Sequence, residues 1–405
     1  MKPPYWIVLA DTHLGAIHWQ NPQREDDYYL AFQTQCRLAA LDPTCLGIIG
    51  LGDIRERASL QAKSLGGLNR GLKILADHSK PLLAIMGNHD FTIPNWIEEM
   101  CYPSLKNLAD PLVQKAYGFD PVKTLALNYT PKSLLLSEVA AQNPENLSLL
   151  FLHQSLKELG TNLKQSYDFT LTDLKNIGIG KNHPCLIFLG DLHNYGDITI
   201  ENITAVYPGS LEMTDINEGV NGLKSQKISS SPHDYRKFVI HFVPSSNTWE
   251  PVPLSPRPWI RTKAKTPREA HASLASIQRI TKTWLQPGCI LATCPSAQLT
   301  TFKEELASIP TLECRIDEYD PTEEVDRETC NYTSLSWLEN KVTLATLAEE
   351  ELEQDAFDLV QKIIAHDGSR SHPKNDVWAA WEAWNKLPDD ESASFQLIPL
   401  DSPTQ

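Results

Sequence analysis

The chain has 405 residues, 41% of them hydrophobic and 21% charged, which supplies apolar mass for one large domain and a smaller one and excludes wholesale disorder. No apolar run approaches the roughly 20 residues that cross a bilayer. The eight cysteines show neither CxxC nor any regular spacing, so no disulfide frame or zinc site is expected. Acidic side chains outnumber basic ones by 51 to 36, a balance that argues against a polyanionic partner unless the bases are clustered.

In chain order, KPPYWIVLA is too short for a secretory leader and reads as a first strand that runs into Asp11-Thr12-His13. CLGIIGL predicts a second strand, ending at Gly52-Asp53. The segment RERASLQAKSLGGLNRGLKILADHS predicts a helix pair broken at Gly66-Gly67. PLLAIM, LSLLFL and PCLIFL predict three more strands, ending at Gly87-Asn88-His89-Asp90, at His153-Gln154 and at Gly190-Asp191-Leu192-His193. Between the last two, FTLTDLKNIG predicts a short helix capped by Thr172. DITIENITAVYPGS and RKFVIHFVP alternate like strands of a second sheet.

The proline-rich stretch at 244–258 reads as a linker. Beyond it, a helix capped by Thr266 with Pro267 in its first position, then a strand, a helix and a strand, predict a small α/β unit. An acidic helix near 343–366 and a short helix carrying Trp378, Trp381 and Trp384 close the chain. The expected fold is α/β: two packed β-sheets flanked by helices over 1–248, an α/β capping domain over 249–338 and an acidic helical tail over 339–405, the tail a candidate partner-binding segment.

Five strand ends carrying carboxylate, imidazole and amide groups form the pattern that a two-metal centre needs. Taken singly, each residue has a bland reading: an aspartate after a strand is often a turn or cap residue, and a histidine after an apolar run is often a hydrogen-bonded core residue. Five stretches in this order, with glycines at the turns, outweigh those readings. The set D-x-H, G-D, G-N-H-D, a lone His and G-D-x-H resembles the signature of the calcineurin-like metallophosphoesterases. DTHLG at the start, LHQS at the fourth motif, YPGSLEMTDINEG at 207–219 and PLSPRPWIRT at 253–262 are similar to the SbcD nuclease family within them. The resemblance covers about the first 265 residues.

The resemblance implies that Asp11, His13 and His193 hold one metal ion, that Asn88, His153 and Asp191 hold a second, and that Asp53 bridges both. The family usually has His where this chain has Asp191. An anionic oxygen there would harden the site and favour Mn²⁺, with Mg²⁺ as the alternative. The resemblance also makes His89 the proton donor to the leaving oxygen rather than a ligand, with Glu56 as the acid that orients it, and implies that the nucleophile is metal-activated water. No G-x-S-x-G elbow or P-loop occurs in the sequence, so any ATP dependence would come from a partner.

The implied function is a Mn-dependent DNA exonuclease and endonuclease. It would act as a cytoplasmic, nucleoid-associated homodimer with an SbcC-type coiled-coil ATPase. Action on small phosphoesters or cyclic nucleotides is the alternative, and a degenerate binding scaffold a third class, disfavoured because every ligand position holds a competent residue. For the DNA reading the clustered bases matter: within 257–282, seven of them stand against Glu269, and Arg257, Arg261, Lys263 and Lys265 are the candidate phosphate contacts.

Overall fold

The computed structural model describes residues 2–17, 21–59, 62–160, 167–214, 237–282 and 287–319. The acidic tail and its three tryptophans lie outside the described residues, as does the end of the 207–219 motif.

Four parallel strands, β1 (Tyr5–Leu9), β2 (Cys45–Leu51), β3 (Leu82–Ile85) and β4 (Leu105–Asn107), begin the first sheet. Helices α1 (Pro22–Leu41) and α2 (Ala62–Asp77) cover its outer face. Two short helices, α3 (Trp96–Glu99) and α4 (Pro111–Ala116), lead on towards the second sheet. That sheet contains β5 (Thr124–Ala126), β6 (Leu149–His153), β7 (Cys185–Gly190), β8 (Gly196–Ile200) and β9 (Ile203–Tyr207), in the order β5-β6-β7-β9-β8. Helices α5 (Lys132–Ala140) and α6 (Leu171–Asn176) pack their apolar residues on its outer face.

The strand sequences explain the layering. A strand buried on both faces reads as a continuous apolar run, because neither set of alternate side chains meets water. In β1, Tyr5, Ile7 and Leu9 join the core under the helices, whereas Trp6 and Val8 join the core between the sheets. There they meet Phe151 of β6 and Phe188 of β7, whose rings stack with centroids 5.7 Å apart.

Three local expectations need correction. The helix pair is a single helix, α2, running through Gly66 and Gly67. Its glycines serve packing: a Cβ on Gly67 would lie 2.2 Å from the Tyr29 ring of α1, and one on Gly71 would lie 2.3 Å from Phe32. The cap of α6 is Thr170 rather than Thr172. Thr170 Oγ1 accepts from Asp173 N while the Asp173 carboxylate accepts from Thr170 N, a reciprocal capping box. The third concerns β10 (Phe238–Val243), which joins the first sheet antiparallel to β1 instead of extending the second. It is followed there by β11 (Thr248–Pro253), so the core runs past 248 to Pro253.

The capping unit has its own parallel sheet of β12 (Trp259–Lys263), β13 (Gly288–Pro295) and β14 (Thr311–Tyr319), with α7 (Pro267–Thr281) and α8 (Leu299–Ala307) packed on it. Its core gathers Ile260, Ile277, Ile290 and Phe302. A buried ionic hub fastens it to α1. The Arg257 guanidinium donates to both Asp27 oxygens at 2.6 Å, and Arg24 donates to Asp27 at 2.6 Å and to Glu212 at 3.2 Å. Arg257 is therefore removed from the candidate phosphate contacts. It is buried, and its guanidinium is occupied by Asp27 and the Pro287 carbonyl. Arg261, Lys263 and Lys265 remain exposed, alternating with buried Thr262 and Ala264.

Candidate metal centre

Strands β1, β2 and β3 are parallel in one sheet, as are β6 and β7 in the other, so all five predicted stretches leave from C-terminal strand ends and meet at one edge of the sandwich. The backbone has to turn sharply there. Asp11, His13, Asp53 and Asp191 adopt φ of 50°, 44°, 49° and 98°, a left-handed region that costs non-glycine residues about 1–3 kcal/mol each unless the surroundings impose it. Glycines supply the remaining room. A Cβ on Gly52 would lie 2.5 Å from His153 Nδ1, and one on Gly87 would lie 2.2 Å from Asp53 Oδ1.

Four imidazoles converge with one common orientation. His153 Nδ1 donates to the Leu51 carbonyl at 2.6 Å, turning Nε2 towards Asn88 Oδ1 at 3.0 Å and Asp53 Oδ2 at 3.4 Å. His13 Nδ1 lies 2.9 Å from Glu56 Oε2, an ion-pair contact rather than an aligned hydrogen bond. Its Nε2 faces His193 Nε2 at 3.2 Å. His193 Nδ1 is engaged by Thr214 Oγ1. His89 Nδ1 donates to the Glu56 carbonyl at 3.0 Å, and its Nε2 stands 3.9 Å from Asp53 Oδ2. In each ring Nδ1 is held from behind and Nε2 points inward, the arrangement by which supporting groups fix the tautomer of metal-binding histidines.

Among the described residues three sets of donor atoms lie within 4.8 Å of one another: Asp11, His13 and His193; His13, Asp53 and His89; and Asp11, Asp53 and His153. These carboxylate and imidazole donors, with Asn88 beside His153, suit divalent first-row metals or Mg²⁺, and two imidazole nitrogens facing each other at 3.2 Å form a cradle for a cation. Asp191 stands beside them and belongs to none of the three sets. Its main-chain N–H donates to Asp11 Oδ1 and Oδ2 at 3.1 and 3.2 Å. Glu56 touches two histidines, His13 through its carboxylate and His89 through its carbonyl.

Charge in the cluster is finely opposed. Burial works against the charged form of His13, but Glu56, Asp53 and Asp11 outweigh it and carry the pKa up to about 9. His153 is likewise opposed by burial and raised by Asp53, Asp11 and Asp191 to about 10. For Asp53 burial pulls upward, and His153, His89 and His13 prevail, holding it far below the carboxylate range. Asp191 keeps some surface contact, yet crowding by protein atoms pushes it up to about 6 against the pull of His153. Cation binding at these imidazoles therefore competes with protons.

Two contributions were not legible as such in the sequence. Asp90, the last residue of its motif, is fully buried, and its carboxylate accepts from Gly87 N at 2.7 Å and from Ile54 N at 2.9 Å, tying the Asp53 loop to the His89 loop. The second comes from 207–214, the described part of the 207–219 motif that carries the family resemblance. In the fold Tyr207 OH donates to the Gln154 carbonyl at 2.6 Å and Thr214 engages His193. Spacing along the chain carries no sign of such contacts between distant segments.

Two packed sheets flanked by helices, with acids and imidazoles gathered at one strand-end edge, are consistent with the calcineurin-like phosphoesterase fold. No family model matches the chain. It is similar to the DNA double-strand break repair protein Mre11 of Saccharolobus solfataricus, 30% identical over 164 residues, which cover 38% of this chain and 42% of that protein. It is also similar to the Mre11 proteins of Archaeoglobus fulgidus, 23% over 231 residues covering 52% of this chain and 50% of the relative, and of Methanosarcina mazei, 26% over 222 residues covering 52% and 34%. The chain thus spans half or less of the length of these relatives. These likenesses accord with the resemblance to SbcD-type metallophosphoesterases that the motifs carry.

Proposed function

We propose that the chain is a divalent-metal-dependent DNA phosphodiesterase, cutting as an exonuclease and endonuclease with Mn²⁺ as its preferred ion. The observation that supports this most directly is the shared aim of the four imidazoles at Asp11 and Asp53, with His89 alone at the open rim, its side chain 40% exposed. Asp11, His13 and His193 would hold one cation, Asn88, His153 and Asp191 the other, and Asp53 both. Bound there, the ions would supply Lewis acidity and activated water.

His89 does a different job in this reading. Its Nδ1–H is committed to the Glu56 carbonyl, which leaves Nε2 to carry a proton to the departing 3′ oxygen. Asp90 keeps the His89 loop in register with the Asp53 loop. The exposed row Arg261, Lys263 and Lys265 supplies phosphate contacts without base specificity, and this row favours DNA over small phosphoesters. The names of the Mre11 relatives point to DNA break repair. A homodimeric state, an SbcC-type ATPase partner and a cytoplasmic, nucleoid-associated setting complete the proposal. Among the described residues no helix is long and apolar enough to cross a membrane.

The test uses metal-stripped protein on a labelled duplex and on bis-p-nitrophenyl phosphate. Both should be cut on adding Mn²⁺, more slowly with Mg²⁺, and EDTA should stop both. Full activity without metal overturns the proposal. Cleavage of the small ester with no binding or cutting of DNA would transfer the site to small substrates.

A further inference from the structure

Lys237 enters β10 and is buried, with 1% of its surface exposed. Burying an ammonium is costly unless its donors are met, and two acceptors of this one are well defined. Nζ donates to the His193 carbonyl at 2.7 Å and to Ser210 Oγ at 2.5 Å. Ser210 has one hydroxyl proton, and the Glu212 carbonyl at 2.7 Å is a better acceptor for it than the His193 carbonyl at 3.4 Å. Among the described residues Lys237 is therefore the strong side-chain donor to the His193 carbonyl, beside the main-chain Ser210 N–H at 3.1 Å.

The turn before Ser210 is shaped for this contact. Gly209 has φ of 80°, and a Cβ there would lie 2.7 Å from the His193 carbonyl oxygen. His193 is thus gripped at both ends, its carbonyl by Lys237 and Ser210 and its Nδ1 by Thr214, while Nε2 faces His13. Its strand-end loop follows β7, whereas Lys237 comes from the other sheet, so the contact also spans the sandwich.

We propose that Lys237 is a positioning residue of the metal centre: with Ser210 it clamps the His193 carbonyl and so places the imidazole that completes the Asp11–His13 half of the site. The inference rests on the two-cation reading above and extends it to a residue outside the strand-end motifs. Groups that orient ligands from behind typically account for about 10–100-fold in metal affinity. That loss should fall on one half of the site, because His153 is held by Leu51 and Asn88 rather than by Lys237.

The test is Mn²⁺ titration of the metal-stripped full chain by calorimetry, with bound ions counted by electron paramagnetic resonance. The parent should bind two ions. Lys237→Met should keep one near its parental affinity and weaken the other by about tenfold or more. Lys237→Gln, which retains an N–H donor, should recover part of the loss. Thermal melting identifies a variant that fails to fold. In that event Ser210→Ala serves instead and should weaken the same single site. Unchanged affinities, or equal weakening of both sites, overturn the role of Lys237 while leaving the metal centre intact. A parent that binds no Mn²⁺ overturns the metal reading itself.

Discussion

His89 shares its Nδ1-back, Nε2-forward orientation with His13, His153 and His193 but differs in exposure, at 40% against 3% for His13 and none for His153. In the proposed reading that difference separates a proton donor at the substrate side from the buried ligands His13 and His153, with His193 half-buried. His89→Gln should leave metal content nearly unchanged and lower turnover on DNA by about 10²–10⁴-fold, the usual range for a general acid. The loss should shrink on bis-p-nitrophenyl phosphate, whose leaving group hardly needs a proton. Loss of a bound ion in this variant would show that His89 is a ligand. Away from the site, Asp42 gives a pH signature. Hydrogen bonds from the Thr44 hydroxyl and N–H, at 2.7 Å each, and from Tyr5 OH at 2.9 Å hold its pKa near 2. A pKa depressed in the fold from about 3.9 in the unfolded chain means that this stabilisation is present above pH 4 and is lost as pH falls towards 2. Asp42→Asn should flatten the acid limb of the melting-temperature profile across that window; an unchanged limb would refute the assignment.

At the scale of elements, the packing of α2 on α1 sets two neighbouring glycines in opposition. Either one replaced by alanine gains up to about 1 kcal/mol of helix propensity. At Gly66 a Cβ would make only an ordinary contact, 3.5 Å from the Arg70 guanidinium, so Gly66→Ala should stabilise the protein. At Gly67 the new methyl would press on the Tyr29 ring, which is buried and hydrogen-bonded to Glu25 at 2.5 Å. Overpacking costs about 1–3 kcal/mol and outweighs the propensity gain, so Gly67→Ala should destabilise. Urea melts of the two variants should move in opposite directions, and a common direction would disprove the packing account.

For the whole molecule, the distribution of charge matters more than its sum. The net charge of −15 coexists with an exposed row of Arg261, Lys263 and Lys265 on the capping unit. Replacing all three by Gln should weaken duplex binding and flatten the slope of log K against log salt by about one unit per lost phosphate contact. Hydrolysis of bis-p-nitrophenyl phosphate should stay near normal, since the candidate metal centre lies at the strand-end edge of the two large sheets and none of the three bases belongs to it. A triple variant that binds DNA like its parent at every salt concentration would reduce the row to ordinary surface. Arg257→Ala should behave differently, because Arg257 joins the hub of Arg24, Asp27 and Glu212. Truncating one member of a buried ion pair costs about 3–5 kcal/mol, and the lower end applies because Asp27 keeps Arg24. Thermal melting should record that loss, and a parental melting temperature would contradict it.

The carboxylates and imidazoles that gather at the candidate centre, their place at strand ends and the alternation of strands with helices were legible in the sequence, because each is written locally. An apolar run followed by a carboxylate or imidazole marks a buried strand and its exit, and the glycines mark where the backbone must turn. The fold alone decided what depends on meetings between distant segments. Gly66-Gly67 reads locally as a helix break and is continuous helix, with Gly67 leaving the space that the Tyr29 ring of α1 fills. Arg257 reads as one base in a basic cluster and is consumed by Asp27, 230 positions earlier. The strand of RKFVIHFVP pairs with β1 rather than with the strands preceding it, since hydrogen-bond partners across a sheet are chosen by register and burial. The Nδ1 partners that aim the four imidazoles were equally invisible beforehand: two are main-chain carbonyls, which every residue possesses and no sequence pattern distinguishes.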